Sequence, residues 1–229
     1  MIQSVCVFGD SVAKGVVFDA IKNKYVLLRD CFANTLQNIG RFTIKNYARF
    51  GATIHKGAEI LQKHREELPK YDYIALEFGG NDCDFDWSEV ADAPNSDHQP
   101  KTPVPKFEAC YAAMVREIKK SGGNPVVLSL PPIDAQRYFK WISRGLDADN
   151  ILHWLGDVEH IYRWHEMYNL AVCRVAKEEQ IPLLDISSAF LETAHYQDLI
   201  CEDGIHPNEK GHQLITSVLE EYIKSVAAA

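Results

Sequence analysis

Five short, unbroken apolar runs recur along the chain, and segments of helical period separate them. The runs are IQSVCVF (2–8), FTIKNYA (42–48), YDYIALEF (71–78), PVVLSL (125–130) and IPLLDI (181–186). They are continuously apolar and β-branched rather than alternating, as expected of strands buried on both faces. Between and after them, VLLRDCFANTLQNIG (26–40), TIHKGAEILQKHREEL (53–68), VPKFEACYAAMVREIKKSGG (104–123), residues 150–180 and NEKGHQLITSVLEEYIKSV (208–226) read as helices. Strands alternating with helices specify a parallel sheet covered on both sides, an α/β doubly wound pattern with five strands. In such sheets ligands bind beyond the carboxyl ends of the strands. The polar residues that collect there are therefore the ones to examine.

Two segments break the rhythm, and both leave a predicted strand at its carboxyl end. Residues 82–105, acidic and proline-rich, read as a long surface loop. Residues 131–168 carry three of the four tryptophans. Tyr138, Trp141, Trp154 and Trp164 are candidate substrate contacts in an acyl or sugar pocket, and ordinary helix packing accounts for the same pattern.

The strand ends present a specific set. The first delivers Gly9-Asp10-Ser11, the second leads through Asn46 to Arg49-Phe50-Gly51, and the third delivers Gly79-Gly80-Asn81-Asp82. After the fifth comes Asp203-Gly204-Ile205-His206-Pro207, just ahead of the last helix. A serine hydroxyl becomes a useful nucleophile only beside a base. Histidine titrates in the right range, and a carboxylate on its other nitrogen fixes the tautomer. Asp203 and His206, three residues apart, fit on one turn. The backbone N–H groups of Ser11 and Gly51 and the Asn81 amide are suitable donors to an oxyanion. Ser11 is also a good helix N-cap, a role compatible with the first. Asp10 and Asp82 read as structural, and the remaining histidines, His165 and His212 among them, as surface or satisfied packing residues.

In this order, FGDSVAKG, the glycine of FGAT, GGND and DGIHP resemble the signature blocks of the SGNH/GDSL hydrolases (GDSL-like esterases and lipases), over nearly the whole chain. The resemblance implies a three-layer α/β/α sandwich with the flavodoxin-like strand order 2-1-3-4-5. It implies Ser11 as nucleophile, His206 as base and Asp203 as its orienting carboxylate, with Ser11, Gly51 and Asn81 as the oxyanion hole. Esterase, lipase, thioesterase and carbohydrate deacetylase activities are typical of the family.

At 229 residues, 46% hydrophobic, the chain is expected to form one domain over 1–229, with insertions at about 82–105 and 131–168 near the rim of the site. A formal charge of −8 disfavours nucleic acid or an anionic membrane surface as partner. The expected partner is a small-molecule ester. No basic and apolar leader precedes the first strand, so a cytoplasmic location is expected. Six cysteines without a CxxC pair argue against a disulfide framework or a zinc site, and neither a metal nor a cofactor is expected. Short-acyl or carbohydrate esters are the expected substrates, with a lysophospholipase or thioesterase role next. The competing functions are a flavodoxin-like module that binds phosphate or nucleotide, and a catalytically silent scaffold.

Overall fold

The computed structural model describes residues 2–40 and 43–228. The chain begins with β1 (Ser4–Gly9), the single-turn helix α1 (Ser11–Lys14), a hairpin of β2 (Val16–Asp19) and β3 (Lys24–Leu27), α2 (Phe32–Gly40) and β4 (Thr43–Asn46). It continues with α3 (Ile54–Lys63), a 3-10 turn over Arg65–Lys70, β5 (Tyr73–Glu77), α4 (Trp87–Asp92), α5 (Val104–Lys120) and β6 (Pro125–Leu128). It ends with α6 (Ala135–Ile142), α7 (Ala148–Leu155), α8 (His160–Glu178), β7 (Leu183–Leu184), α9 (Ile186–Glu192), a 3-10 turn over Tyr196–Leu199 and α10 (Glu209–Ala228).

The main sheet is parallel throughout, in the order β4-β1-β5-β6-β7. Counted over its own strands this is 2-1-3-4-5, the order that the resemblance implies. Successive strand residues point to opposite faces, and both faces are dry. Cys6, Phe8, Ile74, Leu76 and Val127 face one core with residues of α3, α5 and α8, among them Leu61, Tyr111 and Val172. Val7, Ala75, Val126 and Leu128 face the other, with Phe32, Leu36, Phe190, Ile215 and Leu219 of α2, α9 and α10. Each fully buried large side chain contributes about 1.5–3 kcal/mol, so the strand runs had to be apolar on both sides. A third, smaller cluster, including Phe85, Val90, Ile133, Ile151 and Leu155, caps the carboxyl ends of β5 and β6.

Where the elements start follows from local polar chemistry. Asp86, Asp134, Asp147 and Asp185 each accept backbone N–H bonds in the first turn of the helix they precede, a cap worth about 1 kcal/mol. Asp185 does so immediately after Leu184, which explains why the run 181–186 yields only a two-residue edge strand.

Three expectations need correction. Residues 26–40 do not form one helix. Lys24–Leu27 pairs antiparallel with Val16–Asp19, and the helix begins only at Phe32. The apolar spacing of Val26, Leu27 and Leu28 fits a helix, but the β-branched and aromatic residues on both sides of the turn pair better as strands. Residues 82–105 are not a surface loop: Asp82, Phe85 and Val90 are buried, and the segment folds α4 into the third cluster. The helix expected over 53–68 stops at Lys63 and tightens into a 3-10 turn that accommodates Pro69. The strand expected over 42–48 spans Thr43–Asn46, and Phe42 lies outside the described residues. No helix among the described residues is long and apolar enough to cross a membrane.

Candidate active site

The carboxyl ends of β1, β4 and β5 are laced together by bonds that each strand sends to its neighbour. Beyond β4, Tyr47 and Arg49 donate their N–H groups to the carbonyls of Val7 and Gly9, at 2.8 and 3.0 Å. Asn46 donates its amide to Ala13 O at 2.7 Å and accepts from Ala48 N at 2.9 Å. These bonds carry the Gly51 loop alongside Ser11. Asp82 closes the third side, both of its oxygens lying 3.0 Å from Ile54 N at the start of α3. Thr53, the residue before that helix, makes no side-chain cap of its own. Asp82 supplies it from 28 residues away, and burial raises its carboxyl to about 6.

At Gly9 there is no room for a side chain. A Cβ there would stand 2.6 Å from Ala13 Cβ and 2.8 Å from Glu77 O. β1 therefore runs tight against β5 and turns directly into α1, with Ser11 as its first residue. Val12 N–H is taken by Asp10 Oδ1 (2.9 Å) and Ala13 N–H by Glu77 Oε2 (3.2 Å). Among the described residues nothing accepts from the N–H of Ser11 or of Gly51. A first-turn N–H has no intrahelical partner, so the Ser11 donor stands free beside its own hydroxyl.

Asp203 and His206 arrive on a closed turn. Cys201 N donates to His206 O (2.8 Å), Gly204 N to Cys201 O (3.0 Å), and Ile200 bridges Pro207. Gly204 has φ +81, and a Cβ on it would lie 2.4 Å from Tyr138 N, so only glycine lets α6 close against this turn. Asp203 Oδ1 accepts from the N–H groups of Ile205 and His206 at 3.1 and 3.2 Å, and Oδ2 lies 2.5 Å from His206 Nδ1. His206 Nε2 lies 2.8 Å from Ser11 Oγ. All three residues are at most 6% exposed. Burial pushes the Asp203 carboxyl up, but the bond to His206 and the two backbone N–H donors outweigh it and hold the group below its ordinary range. With Asp203 ionised, Nδ1 carries the imidazole proton and Nε2 is left to accept from the serine hydroxyl. The sequence-derived set of Ser11, Gly51, Asn81, Asp203 and His206 thus converges on one rim.

Asn81 donates its amide to Asp10 Oδ2 at 2.9 Å. That bond fixes which end of the amide is nitrogen and leaves its second N–H unused. Asp10 is in turn hydrogen-bonded to Glu77, and both are buried. Burial raises both carboxyls, and the charge of Asp10 drives Glu77 up further. Glu77 is thus the carboxyl of the pair whose protonated form is favoured.

Above the rim lies a cavity of about 140 Å³. Tyr25 and Phe50 flank it near His206, with ring centroids 5.3 and 6.2 Å from the imidazole. Phe85, Trp87, Tyr138, Trp154 and Trp164 line it as well, in a cluster of rings of their own. Of the four candidate contacts, Tyr138, Trp154 and Trp164 line the cavity and Trp141 does not. Trp141 packs edge-on against Phe18 (4.6 Å) and Tyr25 (6.1 Å) of the hairpin, under the Arg144 guanidinium at 3.9 Å. The β2–β3 hairpin claims that face of α6. His165 and His212 also depart from expectation. Both are buried, Nδ1 of the first and Nε2 of the second lack a partner among the described residues, and burial lowers each to about 4. Sequence reasoning missed Tyr25, Phe50 and Glu77. Only Glu77 carried a signal, as an acid at the buried end of an apolar run.

Solved structures share this architecture. A lipase/acylhydrolase from Enterococcus faecalis superposes with a TM-score of 0.69 at 18% identity, covering 98% of this chain and 96% of that one. TesA gives a TM-score of 0.63 at 18% identity over 97% and 99%. A variant of Axe2, an acetyl-xylooligosaccharide esterase from Geobacillus Stearmophilus, gives 0.63 at 18% over 96% and 93%. No curated protein matches the chain in sequence. At such identities the structural likeness speaks for the fold alone. The model of the GDSL-like Lipase/Acylhydrolase family, however, matches residues 7–214, from the first strand past the histidine turn, and the chain belongs to that family of ester hydrolases.

Proposed function

We propose that the protein cleaves carboxylic esters of short acyl groups, sugar esters included, through an acyl-enzyme on Ser11. The reading is carried by one observation: the unbroken chain Asp203–His206–Ser11, at 2.5 and 2.8 Å, on a cavity that Gly51 and Asn81 also line. Ser11 Oγ attacks the ester carbonyl while His206 Nε2 takes its proton. Negative charge builds on the carbonyl oxygen, where the N–H groups of Ser11 and Gly51 and the second Asn81 N–H meet it. Collapse expels the alcohol, which receives the proton from His206. Water, deprotonated by the same nitrogen, then releases the acid and restores the serine. Asp203 stays ionised throughout and holds the imidazolium.

The cavity volume of about 140 Å³ favours compact acyl groups over long chains. The similarity to an acetyl-xylooligosaccharide esterase is in keeping with short esters on a sugar alcohol. A phosphate or nucleotide module is disfavoured, because the Val12 and Ala13 N–H groups that would hold an anion are already occupied by Asp10 and Glu77. The experiment is Ser11→Ala assayed on nitrophenyl esters of rising chain length and with a fluorophosphonate label. Expected are a folded protein, turnover reduced by about 10⁴-fold or more, no labelling, and a wild-type preference for short chains. Retained turnover in the variant overturns the serine mechanism, and a preference for long chains overturns the substrate class.

A further inference from the structure

The aromatic wall contains a buried polar side chain without a hydrogen bond among the described residues. His165 sits on α8 in the buried stripe with Ile161, Tyr168 and Val172, is 5% exposed, and lines the cavity. Its Nδ1 is enclosed without a partner, so the imidazole has only Nε2, on the cavity side, to offer a ligand. Burial keeps the ring neutral at ordinary pH, its pKa lowered to about 4.

Several other polar atoms of this wall are engaged, while Trp154 Nε1 and His160 Nε2 make no hydrogen bond among the described residues. Asp84 Oδ1 accepts from Trp87 Nε1 (2.8 Å) and Tyr138 OH (2.7 Å), and its Oδ2 from Lys101 Nζ (2.8 Å). Trp164 Nε1 donates to Cys83 O at 3.0 Å. His165 Nε2 makes no hydrogen bond among the described residues, and the residue borders a site built for a ligand.

Size and shape narrow the ligand. An apolar cavity of about 150 Å³ holds one benzene ring, and this one measures about 140 Å³. Its wall is a box of rings, Phe85 lying 4.9 Å from Trp154 and 5.8 Å from Trp164 between centroids. Flat rings favour a flat guest. A sugar ring brings three or more hydroxyls, each of which would need a partner on a wall made mainly of rings. An anionic guest would meet the Asp84 and Asp10 carboxylates that also line the space. The leaving alcohol has to reach His206 Nε2, on the side of Tyr25 and Phe50, so the acyl group points the other way, toward the ring box.

We propose that this recess binds a ring-sized, uncharged acyl group bearing one hydroxyl, of the hydroxybenzoyl kind, and that His165 hydrogen-bonds that hydroxyl. The proposal rests on the acyl-ester reading above and narrows it.

The test compares nitrophenyl esters of benzoate, 3-hydroxybenzoate and 4-hydroxybenzoate on the wild-type protein, His165→Leu and His165→Gln. One hydroxybenzoate should exceed benzoate in kcat/KM by about tenfold, the 1.4 kcal/mol of one well-made hydrogen bond. The ratio should fall to about one in His165→Leu and stay intermediate in His165→Gln, which keeps a polar end. No advantage for either isomer, or an advantage that survives in His165→Leu, overturns the proposal. Should the leucine variant not fold, the glutamine variant carries the comparison. Tryptophan fluorescence of Ser11→Ala titrated with benzamide and the two hydroxybenzamides reads the same preference without turnover. A failure of the serine mechanism is thereby separated from a failure of hydroxyl recognition.

Discussion

The rim at the ends of β1, β4 and β5 and the helical cover of α4, α6, α7 and the start of α8 face the same cavity, but they are built on different principles. At the rim the functional side chains are fixed by hydrogen bonds to one another, and the chain of bonds ends on backbone N–H groups at Asp203 and Asp10. Asp203 is held by two N–H groups, Asn81 by Asp10, and Asp10 by Val12 N and Glu77. The cover is held mainly by ring contacts among Phe85, Trp87, Trp154 and Trp164, which are weak singly and tolerant of rearrangement. Chemistry that needs atoms placed to within about half an ångström belongs on the first kind of support. Selection among substrates needs only shape and belongs on the second.

Breaking the rim should therefore cost rate for every ester alike. The largest expected effect of this kind short of removing the nucleophile is Asp203→Asn. An amide in place of the carboxylate either reverses the imidazole tautomer or loses the bond at 2.5 Å. A fall in kcat of about 10⁴-fold is expected, equal across acetate, butyrate and benzoate esters. A loss under tenfold would mean that Asp203 does not orient His206. Next comes Asn81→Ala, which removes one oxyanion donor and should reduce kcat by about 10²–10³-fold with little change in KM. A change confined to KM would place Asn81 in ground-state binding instead.

How much of this was legible beforehand differs between the two regions for a physical reason. Strands buried on both faces must be continuously apolar, so the five runs declared themselves, and the polar residues that end them stood out against that background. Glycines at positions 9 and 204 are forced by close approach of backbone, which spacing alone suggests. The cover was only half legible. Its aromatic content marked it as a pocket or as packing, and it is both. Tyr138 and Trp141 are three residues apart on α6 and share a face by spacing. What divides them is the β2–β3 hairpin, hidden because KYVLL has the apolar spacing of a helix. His165 occupies a core position of α8 by period, and no pattern says that its partner is missing.

Glu77 tests how far the rim depends on support that touches no substrate. Its carboxyl is raised in the folded state by burial and by Asp10, so the proton it holds favours folding below the ordinary carboxylate range. That contribution is lost as the pH rises through the elevated value. Glu77→Gln keeps a neutral donor to Asp10 and should change kcat less than tenfold, while flattening the alkaline side of the stability profile. Glu77→Ala removes one of the partners of Asp10 and leaves Ala13 N without its acceptor, at about 1–3 kcal/mol, and should lower kcat further through the loosened Asn81 amide. Thermal melts from pH 5 to 9 beside kcat measurements separate the two variants. Identical profiles for the glutamine variant and the wild type would mean that the pair does not share a proton.

The smallest expected effect on selectivity bears most directly on where the cover ends. Trp141 packs on the hairpin, and the hairpin reaches the rim through Tyr25, 5.3 Å from His206. Trp154 faces the cavity. Trp154→Ala should shift the benzoate-to-acetate ratio of kcat/KM by tenfold or more, because it removes a wall of the ring box. Trp141→Ala should leave that ratio within about threefold of wild type. It should nevertheless lower the stability by about 1–2 kcal/mol, a Tm shift of roughly 2–8 °C at this chain length, and reduce turnover of all esters by the same small factor. Should the two substitutions move the ratio equally, the hairpin belongs to the selecting surface, and His206 is then oriented by the same rings that choose the acyl group.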